Sequence, residues 1–206
     1  MKKISLALLS FAFFSTAALA ADTVTVTHMT GNPEMMRSGQ TMPITQGMKC
    51  QSGDVLTTPT DKCGVDVSVN GLAGARVLPN SEFVIVNSDS SDMHLKIAKG
   101  NAIMNLEKLP KGTAFKVETP TAVAAVRGTQ FWGRVAMADP ANPITTFAVR
   151  EGVVEIYDKQ SKRTFSVQKG QAIDIPLDST AAPVIRPALD EEMAAMAQAT
   201  SIQTSA

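Results

Sequence analysis

The sequence predicts an all-β protein: a compact two-sheet β-sandwich or roll built from many short strands, with a short C-terminal helix. Two observations carry that expectation. Between Val24 and Leu177 polar and apolar residues alternate in segment after segment, and period two places every second side chain on one face of a half-buried strand. A small punctuation also recurs, with Gly53, Gly100, Gly112, Gly152 and Gly170 each following a polar residue and preceding an apolar strand start. Glycine there permits the positive φ of a tight turn.

The chain opens on an export signal. Lys2 and Lys3 are followed by an apolar run from Ile4 to Phe14 and then by Ala18-Leu19-Ala20, which supplies small residues at the positions a signal peptidase reads. Residues 1–20 are therefore expected to be a signal peptide cleaved before Ala21. An uncleaved anchor is the rival reading, but the run is shorter than the about 20 apolar residues of a membrane span. The expected location is periplasmic or secreted, with no stable membrane insertion after cleavage.

Cleavage leaves 186 residues, one domain by length, carrying 17 basic against 19 acidic residues. No basic stripe is present of the kind that nucleic acid or an anionic membrane selects. Partners must then be chosen by shape and a few polar contacts.

A strand region is expected over 21–41, and the strand pattern continues from there to Leu177. The segments Asp66 to Asn70, Glu82 to Val86, His94 to Ala98, Ala114 to Glu118, Val153 to Tyr157, Arg163 to Val167 and Ala172 to Ile175 all read as strands. Thr121 to Val126 is apolar enough for a helix but short and partly β-branched. Pro59, Pro79, Pro110 and Pro120 fall at turns or strand ends, where a missing N–H does least harm. Ala138 to Pro143 reads as an exposed connection. Glycine spacings are too irregular for a solenoid of fixed repeat. Residues 177–206 read as a linker and a flexible or helical tail, with Asp190 as a helix cap and Leu189, Met193 and Met196 as a thin apolar edge; a frayed surface tail is the expectation, and docking the alternative.

Cys50 and Cys63 are the only cysteines. In an exported chain they are expected to form a disulfide closing a 14-residue loop. Free thiols or a metal pair are the alternatives, and the wide spacing suits neither a redox pair nor a zinc knuckle.

Arg127, Gly128, Thr129 and Trp132 are the candidate binding residues. Arg127 can spend its donors on backbone carbonyls behind a glycine turn, or clamp a ligand's acid or hydroxyls beside Trp132. Trp132 is the sole tryptophan, equally suited to core or platform. No cofactor and no metal site is implied. His28 and His94 lie 66 residues apart in no recognisable motif, and Gly71-Leu72-Ala73-Gly74 reads as a β-turn rather than a phosphate cradle. The expectation is a protein that is not an enzyme.

One resemblance is specific. Gly53-Asp54-Val55-Leu56-Thr57-Thr58, Leu78-Pro79-Asn80-Ser81, Lys99-Gly100-Asn101-Ala102, the stretch from Val117 through Thr119-Pro120 to Arg127-Gly128-Thr129-Gln130-Phe131, Val149 to Val154 and Lys169-Gly170-Gln171-Ala172 together resemble the FecR domain. The resemblance implies a FecR-like β-domain over 42–176 and, in the best-known members, signalling from an outer-membrane transporter to a cytoplasmic sigma factor. Only Met1-Lys2-Lys3 precedes the hydrophobic run, so this chain is expected to resemble the short exported members instead. The leading expectation is a non-enzymatic periplasmic interaction module in envelope sensing, signalling or assembly, with an envelope protein as partner. The alternative is a glycan or small-molecule binder using Arg127 and Trp132.

Overall fold

The computed structural model of the chain describes residues 24–177 and 183–204. The expected signal peptide and part of the expected linker lie outside the described residues. The described strands are Val24–Thr30 (β1), Glu34–Arg37 (β2), Gln40–Pro43 (β3), Lys49–Cys50 (β4), Val55–Thr58 (β5), Gly64–Val69 (β6), Ala73–Val77 (β7), Ser81–Asn87 (β8), Asp92–Leu106 (β9), Ala114–Glu118 (β10), Ala122–Val126 (β11), Gln130–Ala136 (β12), Ile144–Glu151 (β13), Val153–Asp158 (β14), Thr164–Gln168 (β15), Gln171–Pro176 (β16) and Ile185–Pro187 (β17). One α-helix, Asp190–Met196 (α1), and a single 3-10 turn, Ala199–Ser201, follow.

Hydrogen bonding arranges these strands as two sheets that share β9. Sheet A runs β4-β1-β6-β7-β9-β12-β13-β16-β17. Sheet B runs β3-β2-β5-β8-β9-β10-β11-β14-β15. Pairing is antiparallel throughout except for β9 with β10. The inner faces enclose one core in which Phe83, Phe115, Phe131 and Phe147 are fully buried, as expected when alternating residues of two sheets interdigitate.

The recurrent glycines mark passages between sheets. Gly53, Gly112 and Gly152 lie where the chain leaves sheet A for sheet B, and Gly128 and Gly170 where it returns. Gly100 differs from its reading as a turn before a new strand. β9 is one strand of 15 residues that pairs with β8 and β10 before Gly100 and with β7 and β12 after it. Gly100 has φ +81°, and a Cβ there would stand 2.3 Å from Ser81 Oγ and 2.6 Å from Asn80 O. The corner is pinned by Ser81 Oγ, which accepts from Asn101 N–H at 2.8 Å, and by Thr58 Oγ1, which accepts from Ser81 N–H at 3.0 Å. The Leu78-Pro79-Asn80-Ser81 motif thus exists to hold a bend.

The Thr119-Pro120-Thr121 turn has an equally structural reason. Thr121 Oγ1 donates to Thr145 Oγ1 at 2.7 Å, which donates to Thr119 Oγ1 at 2.9 Å, which in turn accepts from Ala122 N–H at 3.0 Å. This buried chain of hydroxyls ties the β10–β11 turn in sheet B to β13 in sheet A, with each polar group satisfied.

The expected disulfide is not formed: Cys50 and Cys63 are free and buried. β1 explains why. Cys50 sits opposite Val24 at one end of β1, whereas Gly64, next to Cys63, sits opposite Thr30 at the other. Six strand steps of about 3.3 Å separate the two sites by roughly 20 Å, far beyond the Cα span of a disulfide. Burial pushes the Cys50 thiol up to about 12, and burial raises Cys63 as well. Since the thiolate is the reactive form, Ellman's reagent is expected to find no reactive thiol in the native protein and both thiols after denaturation. One disulfide-linked species by intact mass would refute this.

The C-terminal segment is docked rather than frayed. β17 adds to the edge of sheet A, and α1 lies over β12 and β13. Met196, Ala199 and Ile202 are buried against Ile103, Trp132, Ala148 and Ala172 on the outer face of that sheet. Arg186 on β17 reaches Asp174 at 2.7 Å and Glu192 at 2.7 Å. Arg150 donates to Met196 O at 2.6 Å, Asn105 to Ile202 O at 3.3 Å, and Ser68 Oγ to Thr204 O. Gly74 leaves room for the tail, since a Cβ there would stand 2.6 Å from Gln203 O. Asp190 is the first helical residue rather than the cap; Glu192 reaches back instead, accepting from Leu189 N–H at 2.7 Å.

The Arg186 cluster gives the tail a pH dependence. The Arg186 guanidinium holds the Glu192 carboxyl below its usual value. Burial pushes Asp174 up, yet hydrogen bonds from Arg186 and Thr146 outweigh it and hold this carboxyl low as well. Both groups therefore bind fewer protons folded than unfolded, and their stabilisation is complete above the ordinary carboxylate range and lost as pH falls through the depressed values. Acid titration below about pH 4 is expected to shift Trp132 emission to the red before global unfolding. An emission unchanged until the whole fold melts would count against it.

Candidate functional site

The sequence-selected corner is built by two neighbouring crossings. β11 ends in sheet B at Val126, and the chain passes through Gly128 at φ +68° into β12 of sheet A. Gly152, between β13 and β14, abuts it: a Cβ there would stand 2.8 Å from Thr129 Cγ2 and 2.9 Å from Gly128 O. Thr129 is buried, and its carbonyl accepts from Leu106 N–H at 2.9 Å. Gly128 and Thr129 are thus placed as parts of the corner.

Because the corner changes sheets, Arg127 and Trp132 stand apart although only five residues separate them. Trp132 is on the outer face of sheet A beneath α1, 7 % exposed. Arg127 is exposed and lines a groove on the outer face of sheet B. Its guanidinium has no hydrogen-bond or ion-pair partner among the described residues. The structure does not bring the two into one pocket.

The groove has a simple origin in strand register. Lys116 on β10, Ala125 on β11 and Glu155 on β14 face one another across three strands. One same-face step along come Ala114, Arg127 and Val153. Small side chains at Ala114 and Ala125 leave a hollow of about 550 Å³ between longer neighbours. Val153, at 46 % exposure, is the large apolar side chain that its lining leaves open to solvent. Lys108 lies close by, its Cα 3.3 Å from where a Gly128 Cβ would be. Lys116 also contacts Asp92 at 2.9 Å, but that pair is half exposed and holds neither group firmly.

A second hollow of about 540 Å³ lies on the outer side of sheet A, lined by His28, Cys63, Asp66, Arg76 and Gln198. Its arginine is already engaged: Arg76 meets Asp66 through two hydrogen bonds of 2.8 and 2.7 Å and Gln198 through a third of 3.0 Å. His28 belongs to sheet A and His94 to sheet B, where His94 Nε2 lies 3.0 Å from Glu118 Oε2 without the alignment of a hydrogen bond. Among the described residues no three His, Cys, Asp or Glu side chains are placed to hold a metal ion. No described helix is long and apolar enough to cross a membrane.

The sequence motif includes Asp54 without indicating its role; the residue is 1 % exposed. It accepts from Arg37 at 2.8 and 2.6 Å and from Gln51 N–H at 2.7 Å. Burial raises its carboxyl, but these bonds hold it below the usual carboxylate value. Its role is to fix the crossing at Gly53.

Residues 54–155 match the FecR protein family. The chain is a FecR-domain protein. The matched stretch contains the Gly100 bend, the threonine network and both crossings around Arg127. Two crystal structures of a candidate anti-sigma factor from Parabacteroides distasonis ATCC 8503, at 1.65 and 2.50 Å resolution, share this architecture. Each superposes with a TM-score of 0.58 at 15 % identity over 70 % of this chain and 64 % of that one. At that identity the likeness is one of fold, and this FecR-domain protein spans somewhat under two thirds of that protein's length. Comparison with curated proteins finds no match.

Proposed function

We propose that this FecR-domain protein is a periplasmic, non-enzymatic interaction module in envelope signalling, and that it meets an envelope protein through the outer face of sheet B around Arg127. The family and the fold likeness to a candidate anti-sigma factor support the signalling role, and the export signal read in residues 1–20 supports the location. The observation that carries the choice of face is the inequality of the two sheets. Much of sheet A's outer face is covered by the chain's own C-terminal segment. No described segment covers the groove on sheet B, where Arg127 has no partner among the described residues and stands beside exposed apolar surface. Apolar surface beside an exposed cation is what a partner would desolvate. A glycan or small-molecule pocket joining Arg127 to Trp132 is not part of this proposal, since the indole lies under α1.

The test is a crosslinking capture of tagged protein, Ala21 onward, from intact envelopes. Arg127→Glu is compared with Lys169→Glu, at an exposed turn elsewhere. The reading expects reproducible envelope proteins retained by the Lys169 variant and lost by the Arg127 variant. Capture of the same proteins by both, or of none by the wild type, defeats it.

A further inference from the structure

We infer that the groove on sheet B recognises an acidic side chain and an apolar one two residues from it, in an extended segment of a partner protein. The inference rests on the interaction face proposed above and adds the chemistry that face reads. The groove lies across β10, β11 and β14, whose backbones are already paired with one another. An occupant therefore gains no strand-ladder hydrogen bonds and must be recognised through its side chains. One end of the hollow holds Arg127, exposed and without a partner among the described residues, with Lys108 exposed at the adjoining corner. A guanidinium offers a planar fork that fits a carboxylate through two parallel hydrogen bonds. The middle of the hollow is floored by Ala125, while Ala114 and Val153 stand in the row of Arg127 on either side of it. That floor takes an apolar side chain two residues from the acid, because the same-face step from Arg127 to Ala125 is two residues of extended chain.

Glu155 fixes the orientation. It faces Ala125 from β14 and repels a second carboxylate from the middle of the groove, leaving the Arg127 end as the place for negative charge. Lys116 faces the same alanine from β10, so the centre of the groove is balanced and only its Arg127 end is positive. A polyanion or an anionic membrane would instead select a continuous basic face. The chain as a whole carries 19 basic and 19 acidic residues, which does not supply one.

The experiment is an NMR titration of isotope-labelled protein, Ala21 onward. The probes are three end-blocked peptides of repeating Leu-Ser-X-Ser, with X glutamate, glutamine or lysine so that X and leucine share a face when extended, and vesicles containing phosphatidylglycerol. The glutamate peptide is expected to shift the amides of Ala114, Ala125, Arg127 and Val153, and to weaken with added salt. Arg127→Gln should reduce its affinity about tenfold or more, as loss of a charge-assisted hydrogen bond implies. Ala125→Phe, at an exposed position, should block it without changing charge or fold. Equal binding of the glutamine peptide, shifts elsewhere on the protein, or binding to vesicles but not to the glutamate peptide would each overturn the inference. If envelope proteins are captured through Arg127 while the peptides show no preference for acid, the face stands and acid recognition falls. If capture is indifferent to Arg127, both fall.

Discussion

Removal of the C-terminal segment after Leu177 will shift the emission of Trp132 to the red and lower the free energy of unfolding by about 4 kcal/mol or more. Trp132 is the sole tryptophan and lies beneath Met196 and Ile202, so its emission reports this contact directly. Truncating one fully buried methionine or isoleucine costs about 2–5 kcal/mol, and the segment places both against the same patch. The ion pairs of Arg186 add less, being partly exposed. Met196→Ala is the milder form of the test, with an expected loss of about 2–4 kcal/mol. Denaturant titration followed at the indole measures both. A truncated protein with unchanged emission and midpoint would mean that the segment only rests on the surface.

Gly100→Ala should destabilise more than any other alanine substitution among the turn glycines that pass between sheets, by about 3–5 kcal/mol. Two costs combine there. A non-glycine residue held at positive φ costs about 1–3 kcal/mol, and the new methyl would meet Ser81 and the Asn80 carbonyl at 2.3 to 2.6 Å. Those atoms cannot retreat, because Ser81 is bonded on both sides to Thr58 and Asn101. Gly112→Ala is the control: φ is +86°, but nothing lies within 4 Å of the added carbon. Its loss should be about 1 kcal/mol. Equal losses in the two variants would show that the bend in β9 tolerates a side chain and that the sheets are not pinned there.

The elements that alternate strictly were readable in advance. Ala114 to Glu118 and Val153 to Tyr157 became β10 and most of β14 because one face of each is buried and the other is not. The glycine punctuation also held, although the alternation could not show that Gly100 bends a strand rather than starting one. What failed depended on distance through space. The Cys50–Cys63 pairing was inferred from compartment and sequence spacing, and β1 holds the two ends apart. The docked tail left a trace that went unread. Ala102-Ile103-Met104, Phe131-Trp132-Gly133 and Phe147-Ala148-Val149 break the alternation with an apolar residue at the outward position. Strands that are apolar on both faces are buried on both faces, and the tail is what buries them. Arg127 was picked out by its motif, but only the change of sheet at Gly128 shows that it parts from Trp132.

The most direct test of the unequal faces is photo-crosslinking in living cells, with a photoreactive residue at Ala125 in the sheet B groove or at Ala194, exposed on α1. The account predicts a discrete higher-mass adduct from Ala125, abolished by Arg127→Glu, and none from Ala194. An adduct from Ala194 with none from Ala125 would contradict it and move the interaction face to the C-terminal segment.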